Sequence, residues 1–440
     1  MQEPRDETET LEPQPPQPRP RRDICTMVRD EGRFVGVLAP MVRYSKMPFR
    51  VCCHRWGCDV AYSPMLVADS FIRCAKARDR DLTTCPCLLF LPPPPAKKQQ
   101  QPFVSQTKKK KKNKQTDGRD RPLVVQFAVS DPCVFAEAAA YVARDCDGVD
   151  LNCGCPESWV NRLGDGAALM HRPELVADMV RQARGACSVP VSIKMRVLAD
   201  VRDTVEVARR AEAAGCAHVV VHGRTRAEGN SGPVRLAHIR AVKDALGVPV
   251  VANGGIMTHA QALAVRAATG ADGVMAARGL LRNPALFARI NAAAAGARDV
   301  EPFDVTPLEA VHDYLHLAAA AGTPWGIMHR HLAWMLFAVL GRADKRRTLN
   351  SFASLAGALD FLDAEGLAPP AYAARDGLLG NLRDIARWPL DRVAHTTPPP
   401  PPSRRPRGPS APFLVNNDGV PGADVADGPI VADGAVVDED

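Results

Sequence analysis

The chain has 440 residues, of which 46% are hydrophobic, and a formal net charge of +7. No apolar run approaches the roughly 18 residues that a membrane-spanning helix requires, which excludes a membrane span. Thirteen scattered cysteines lack the paired spacing of a zinc site or a disulfide framework, so we expect free thiols, no metal ion, and a globular protein of the cytosol or nucleus.

Three segments have compositions that cannot form a packed core, and we expect each to be disordered. Residues 1–30 form an N-terminal arm that is first acidic and then proline-rich, without the apolar stretch of a signal peptide. Residues 91–119 are an internal insertion rich in proline, glutamine and lysine, and residues 396–440 form a tail rich in proline, glycine and aspartate.

The insertion carries most of the basic charge. Ten lysines and arginines against two aspartates give residues 92–121 a charge of +8, whereas the tail is acidic, so the folded part is only mildly basic. That balance permits a nucleic-acid partner without requiring one. Two interpretations of the insertion stay open: a solvated loop, or a patch that grips nucleic acid or directs nuclear import.

Short apolar runs alternate with amphipathic helical stretches eight times between these segments. Near-continuous apolar runs between helices are typical of parallel strands covered on both faces. Eight such units predict an α/β fold, a TIM (β/α)8 barrel, over residues 31–300. The runs are Phe34–Met41, Val60–Leu66, Leu123–Ala128, Gly148–Gly154, Val191–Val197, His218–Arg224, Pro249–Gly255 and Gly273–Gly279.

The segment after the barrel, residues 301–390, has helical periodicity and no strand pattern, which predicts a small C-terminal helical bundle. Within it, Gly341–Arg347 reads GRADKRR, with three arginines and one lysine. This cluster is either a solvated turn or a surface that contacts phosphates.

Polar or conformationally special residues end seven of the eight predicted strands, and only the second strand lacks a comparable one. Carboxyl ends of barrel strands converge on one face, where barrel active sites lie. One such residue would be an ordinary strand-to-loop residue, whereas the set predicts a site at the barrel mouth. The set is Pro40 with Met41, Gln126, Asn152 with Cys155, Lys194, His222, Asn253 and Arg278.

Glycines follow the seventh and eighth strands, where this barrel commonly binds phosphate. The backbone N–H groups of Gly254, Gly255 and Gly279 would face the phosphate, and Arg278 would add charge. Together with the polar strand ends, these residues predict a barrel that binds FMN or a phosphosugar.

Two cysteines lie close together in DLNCGCPESW, residues Asp150–Trp159. Cys153 lies within the fourth predicted strand, which favours a buried, small apolar role. Cys155 follows Gly154 where the strand ends and the chain turns over the mouth. Spacing alone does not decide which of the two thiols is functional.

The chain resembles the tRNA-dihydrouridine synthases, flavoenzymes that reduce uridines in the D-loop of tRNA. Its motifs are most similar to the eukaryotic type that acts at positions 20a and 20b. The resemblance covers about residues 33–90 and 121–290, and more loosely the helical segment. The motifs that carry it are VLAPMVRYSKMPFR, SPMLVADSF, VVQFAVSDP, DGVDLNCGCPESW, GDGAALM, SIKMRV, VHGRT, VANGGI and DGVMAARGLLRNPALF.

This resemblance implies FMN as cofactor, NADPH or NADH as reductant, tRNA as substrate and a monomer, with the helical domain binding tRNA. Cys155 would be catalytic, and Asn152 and Lys194 would contact the uracil. Two positions depart from the usual family pattern: Gly255 replaces an aspartate and Ala277 replaces a glycine, but both keep a backbone donor. The implied FMN-binding residues are Pro40, Met41, Val42, Gln126, Lys194, His222, Asn253, Gly254, Gly255, Ala277 and Arg278.

The implied reaction reduces the C5=C6 bond of a flipped-out uridine. Hydride goes from the flavin to C6, and Cys155, whose thiol is ordinarily protonated at neutral pH, gives a proton to C5. Two alternatives are an FMN-dependent oxidoreductase for a small molecule of the dihydropyrimidine type, and a non-catalytic tRNA-binding relative. The basic helices and the Cys-Pro motif disfavour the first, and the nearly complete set of site residues disfavours the second.

Overall fold

The computed structural model describes residues 22–75, 77–78, 82, 120–291 and 302–367. The arm before residue 22, the insertion 91–119 and the tail 396–440 lie outside the described residues. The chain divides into two compact units, the first ending at Gly341 and the second beginning at Arg342.

Eight parallel strands close into a barrel, which confirms the predicted fold. The described residues contain nine strands, of which all except the short third one form the barrel: β1 (Val35–Leu38), β2 (Val60–Tyr62), β3 (Leu66–Val67), β4 (Leu123–Ala128), β5 (Gly148–Cys153), β6 (Val191–Arg196), β7 (Val219–His222), β8 (Val250–Asn253) and β9 (Gly273–Ala276). The ring closes because β1 pairs with both β2 and β9, β2 pairs with β4, and β4 to β9 pair in order. The short β3 pairs only with β4, outside the ring.

One short helix precedes β1, and the other helices follow the strands and surround the barrel. They are α1 (Ile24–Arg29), α2 (Met47–Arg55), α3 (Ala68–Arg73), α4 (Pro132–Val142), α5 (Ser158–Arg162), α6 (Pro173–Ala186), α7 (Val201–Ala213), α8 (Leu236–Ala245), α9 (His259–Thr269) and α10 (Arg278–Arg282). A 3₁₀ segment, Gly166–His171, lies between α5 and α6. None of the described helices is long and apolar enough to cross a membrane.

The first helix corrects one prediction, because the disordered arm was expected to extend to residue 30. Asp23 caps α1 by accepting the N–H of Thr26 at 2.9 Å. Ile24 and Met27, three residues apart on one face, are buried in the barrel interior. The interior cluster that they join includes Val35, Val37, Val60, Tyr62, Val124, Val220, Val251 and Met275. A polar flanking composition therefore concealed a short helix that belongs to the core.

The pairing register puts polar residues of neighbouring strands side by side. Gln126 of β4 pairs with Asp150 of β5, which pairs with Ser192 of β6. Two residues further along, Asn152 of β5 pairs with Lys194 of β6. Side chains two residues apart on a strand point to the same face. These residues therefore form two successive polar layers towards the carboxyl end of the strands.

The first three helices after the barrel belong to the same compact unit as the barrel, so this unit extends past the predicted boundary at residue 300. They are α11 (Leu308–Ala320), α12 (Trp325–Met335) and α13 (Phe337–Leu340). Helix α11 packs on α2, where Trp56 Nε1 donates to Asp313 at 3.1 Å. The buried ring of His331 on α12 packs against Tyr44, in the loop after β1, with ring centroids 5.2 Å apart.

The described part of the second unit contains two helices, α14 (Ala343–Asn350) and α15 (Leu355–Ala364). The rings of Phe352 and Phe361 pack with centroids 5.6 Å apart. In the basic cluster at its start, Arg342 pairs with Asp344 at 2.9 Å and Lys345 pairs with Glu365. Carboxylates therefore neutralise part of this cluster.

Candidate active site

The residues predicted to form the site lie at the carboxyl ends of seven barrel strands or in the turns that follow. Direct contacts divide them into a cysteine side, on β4 to β6, and a basic side, on β7 to β9. Pro40, Met41 and Val42 lie in the loop after β1, and the hydrogen bonds of Met41 stay within its own turn, to Tyr44 and Ser45. Among the described residues, no group of three His, Cys, Asp or Glu side chains is arranged to hold a metal ion.

The turn that carries Cys155 is held from two directions. From one side, Asn152 Oδ1 accepts the backbone N–H groups of Gly154 at 3.0 Å and Cys155 at 2.8 Å. From the other, the carbonyl of Cys155 accepts Asn161 Nδ2 at 2.9 Å and the N–H of Ala167 at 3.0 Å. Asn152 was predicted to contact the uracil, and its side-chain oxygen is already engaged by the turn.

Gly166 lies directly against the turn that carries Cys155. Its φ is +63°, a region that side-chain-bearing residues seldom adopt. A Cβ there would lie 2.9 Å from the Cys155 carbonyl oxygen and 2.8 Å from Cγ1 of Val160. Only glycine fits, which gives a structural reason for the GDGAALM motif.

The two thiols have different surroundings. Cys153 is fully buried, as its position within the strand predicted, whereas Cys155 is half-buried. Burial raises the pKa of the Cys155 thiol, opposed by the backbone N–H of Glu157 and then by the charges of Arg196 and Lys194. The thiol therefore keeps its proton at neutral pH, as a general acid must.

Lys194 offers a free amine beside this thiol. It is half-buried, and its ammonium group makes no hydrogen bond or ion pair to any residue that the structure describes. Burial and then the charge of Arg196 lower its pKa to about 8, while Asp150 and Cys155 act in the opposite direction. At neutral pH the amine is mostly protonated and available to a polar or anionic ligand.

Arg196 joins the cysteine side to the basic side. Its buried guanidinium donates to the carbonyl of Gly154 at 2.7 Å, and to the carbonyls of Thr225 at 3.0 Å and Gly229 at 2.6 Å in the loop after β7. This arginine was not among the predicted site residues. Its position two residues after Lys194, on the same strand face, was the available signal.

The basic side surrounds a neutral histidine. Burial and the charges of neighbouring cations lower the pKa of His222 to about 2, and those cations are Lys194, Arg196, Arg224 and Arg278. Arg224 Nη1 lies 3.5 Å from His222 Nε2, and Arg278 donates to the carbonyl of Asn230 at 3.1 Å. Four cations around one neutral imidazole make the site favourable for an anion, although Glu228 offsets part of the charge of Arg196 and Arg224. Arg224 also went unrecognised in the sequence, although it lies two residues after His222.

Gly254 and Gly255 place backbone that carries no side chain beside these cations. Gly254 has φ +125°, and a Cβ there would lie 2.9 Å from Cδ2 of His222. Gly255 has φ +70°, which glycine adopts without strain, so the departure from the usual family aspartate is compatible with the turn. Asn253 fixes this edge by donating from Nδ2 to the carbonyl of Met275 at 2.7 Å. Glycine backbone beside a cluster of cations fits a phosphate group.

The profile of the Dihydrouridine synthase (Dus) family matches residues 99–368. A tRNA-dihydrouridine(20a/20b) synthase-like protein of Homo sapiens is 38% identical over 334 residues, covering 75% of this chain and 90% of that protein. A tRNA-dihydrouridine synthase-like protein of Caenorhabditis elegans is 40% identical over 313 residues, covering 70% and 94%. The tRNA-dihydrouridine(20a/20b) synthase of Schizosaccharomyces pombe is 32% identical over 335 residues, covering 75% and 87%. The chain therefore belongs to the dihydrouridine synthase family, as its motifs predicted.

Proposed function

We propose that this protein is a tRNA-dihydrouridine synthase that reduces the C5=C6 bond of uridine at positions 20a and 20b of the D-loop. The observation that carries the proposal is the protonated Cys155 thiol, held in a rigid turn at the same barrel mouth as the free amine of Lys194. The names of the relatives with 32% and 38% identity support the choice of uridines. We further propose that it acts as a monomer in the cytosol or nucleus.

FMN is the cofactor that these residues fit, with NADPH or NADH as the reductant. The glycine backbone at Gly254 and Gly255 and the charge of Arg278 would hold its phosphate. The other residues that would contact it are Pro40, Met41, Val42, Lys194, His222, Asn253 and Ala277. Gln126 was also expected to contact it, but its side chain has no exposed surface and is hydrogen-bonded to Asp150 and Asn152, so it would act through Asn152. When bound, FMN supplies the hydride that reaches C6 of the uracil.

Cys155 supplies the proton that completes the reduction. The C5 carbon gains negative charge as C6 accepts hydride, and the thiol gives its proton to C5. The thiolate then recovers a proton from water, so one hydride and one proton are added in each turnover. Burial suits the thiol to this task because it keeps the proton on sulfur near neutral pH.

Lys194 stabilises the negative charge that spreads to the uracil oxygen during this step. Its ammonium group has no competing hydrogen-bond partner in the described part of the chain, so no existing contact must break. Asn152 has one amide hydrogen left for the uracil edge, because its oxygen and its other hydrogen are engaged in the turn and with Gln126.

Substrate binding requires one base to leave the stacked tRNA and enter the mouth. Exposed arginines in the mouth loops, among them Arg43 and Arg226, would contact phosphates of the tRNA, as would helices after the barrel. These contacts distinguish the proposal from a small-molecule reductase of the same fold.

Product mapping tests the proposal. Purified protein should carry an FMN absorption spectrum that NADPH bleaches, and should convert uridines 20a and 20b of an unmodified tRNA to dihydrouridine. Reduction of free uracil or uridine at a comparable rate, with no product in tRNA, would support the small-molecule alternative. A protein that binds tRNA but not FMN would support the non-catalytic one.

A further inference from the structure

A continuous chain of hydrogen bonds runs beneath the candidate active site. Ser192 Oγ donates to Asp150 Oδ1 at 2.6 Å, and Gln126 Nε2 donates to Asp150 Oδ2 at 2.8 Å. Asn152 Nδ2 donates to Gln126 Oε1 at 2.8 Å. The oxygen of Asn152 then accepts the N–H of Cys155, also at 2.8 Å. Each link joins residues that the barrel register makes neighbours, or that lie in one turn.

The groups at the two ends of this hydrogen-bond chain determine how each amide between them must be oriented. At the upper end, a backbone N–H can only donate, so the Asn152 amide must turn its oxygen towards Cys155 and its nitrogen towards Gln126. Gln126 must then present its oxygen to Asn152 and its nitrogen to Asp150. At the lower end, burial raises the pKa of Asp150 to about 6, so the carboxylate is mostly ionised at neutral pH and only accepts, which matches the nitrogen of Gln126. Reversing either amide would bring two donors or two acceptors together.

Water cannot replace these hydrogen-bond partners, because the lower part of the hydrogen-bond chain is buried away from solvent. Gln126 and Asp150 have no exposed surface, and Ser192 is 1% exposed. Burying a carboxylate is costly unless donors satisfy it, and Asp150 has one donor on each oxygen. A buried carboxylate at this position can hold the side-chain amides of Gln126 and Asn152 in fixed orientations.

We propose that Asp150 is a positioning residue for Cys155, acting through the amides of Gln126 and Asn152. The carboxylate selects the Gln126 rotamer, which in turn selects the Asn152 orientation that closes the cysteine turn. Asp150 touches neither the thiol nor the substrate. The inference rests on the proposed role of Cys155 for its catalytic meaning, but the structural coupling can be measured separately.

The variants Asp150→Asn and Asp150→Leu distinguish a role in orienting the amides from a role of the negative charge itself. An asparagine oxygen can accept from Gln126, while its nitrogen donates to Ser192, whose hydroxyl can turn to the Val149 carbonyl at 3.4 Å. Leucine has the same branched shape, although its methyl groups are larger than the carboxylate oxygens, and it accepts no hydrogen bond, so Gln126 loses its anchor. If the leucine variant does not fold, Asp150→Ala removes the same acceptor without adding bulk.

The first readout is the alkylation rate of Cys155 by iodoacetamide, measured by peptide mass spectrometry against the exposed thiol of Cys133 in the same sample. A loosened turn exposes Cys155, so Asp150→Leu should raise the Cys155 to Cys133 ratio by about three- to tenfold, the factor that corresponds to one hydrogen bond. Asp150→Asn should leave the ratio within about twofold of the wild type, because the chain of hydrogen bonds is retained.

The second readout is dihydrouridine formation in tRNA by flavin-loaded protein, with FMN content measured on the same samples. Asp150→Leu should lose about 100-fold in rate, the effect of a reacting group misplaced by roughly 1 Å, and Asp150→Asn should recover most of it. If both variants lose equally, the carboxylate charge is what matters and the proposal is wrong. An unchanged Cys155 to Cys133 ratio in Asp150→Leu would also overturn it. If the wild type forms no dihydrouridine, the proposed function fails, while the alkylation ratio still decides the coupling.

Discussion

The guanidinium of Arg196 donates a 2.7 Å hydrogen bond to the carbonyl of Gly154, the residue directly before Cys155. The same side chain holds the carbonyls of Thr225 and Gly229 in the loop after β7. One buried arginine thus fixes the cysteine turn relative to a loop of the basic side. The Cys155 thiol and the basic side of the mouth are therefore parts of one connected structure.

Arg196→Lys should therefore impair the enzyme although the charge is kept, because an ammonium group cannot span the carbonyls that the planar guanidinium joins. We expect dihydrouridine formation to fall by about 10- to 100-fold, the scale of a small misplacement of the reacting group. Single-turnover rates on unmodified tRNA measure this. Arg240→Lys on the exposed face of α8 is the matched control and should have no effect. Equal rates for Arg196→Lys and wild type would contradict the bridging role.

Gly166→Ala should damage both stability and the cysteine turn. The left-handed backbone costs a side-chain-bearing residue about 1–2 kcal/mol, and the added Cβ collides with the Cys155 carbonyl. We expect the free energy of unfolding in urea to fall by at least about 1 kcal/mol. Gly185→Ala is the control, because Gly185 lies in α6 with nothing within 4 Å of the added Cβ and should be neutral or stabilising by about 1 kcal/mol. Equal effects of the two changes would refute the steric argument.

The pH dependence should follow Lys194. Its pKa of about 8 lies below the ordinary lysine value, so the amine is charged below pH 8 and loses its charge as pH rises through that value. The raised pKa of Cys155 keeps the thiol protonated over the same range. Single-turnover rates should therefore fall above about pH 8, and Lys194→Met should be slow at every pH and lack this inflection. A wild-type rate that increases through pH 8 would mean that the neutral amine is the active form.

Ile24→Ala should destabilise the barrel although it lies in the N-terminal segment. Ile24 is 1% exposed among the interior residues, and truncating a buried isoleucine costs about 2–5 kcal/mol. Equilibrium unfolding in urea measures the loss, with Asp30→Ala, at the exposed end of α1, as control. A loss below about 0.5 kcal/mol, the usual limit of surface substitutions, would show that α1 is not part of the core.

The sequence predicted the barrel well because its strands are buried on both faces. Such strands read as continuous apolar runs, and all eight runs contain the observed strands. The second run was less regular: Ser63 and Pro64 separate β2 from β3, and Ser63 Oγ instead accepts the N–H of Gln126 at 3.1 Å. The helix at Ile24–Arg29 was missed because six residues beside a proline- and arginine-rich stretch give little periodic signal.

The candidate site was predicted less completely than the fold. Motif resemblance proposed Cys155 and Lys194, since their residue types stand out at strand ends, and the structure brings both to the barrel mouth. Asp150 and Arg196 lie two residues before Asn152 and two after Lys194, on the same strand faces, but their partners are on other strands. Such contacts depend on which residues of neighbouring strands lie opposite each other, and a single sequence does not reveal that register.

The most direct test compares Cys155→Ala with Cys153→Ala in the reduction of unmodified tRNA. Both proteins should bind FMN and be reduced by NADPH. We predict that Cys155→Ala forms no dihydrouridine at positions 20a and 20b in a time that suffices for wild type, whereas Cys153→Ala retains most of the activity. Full activity of Cys155→Ala, or loss of activity confined to Cys153→Ala, would contradict the account.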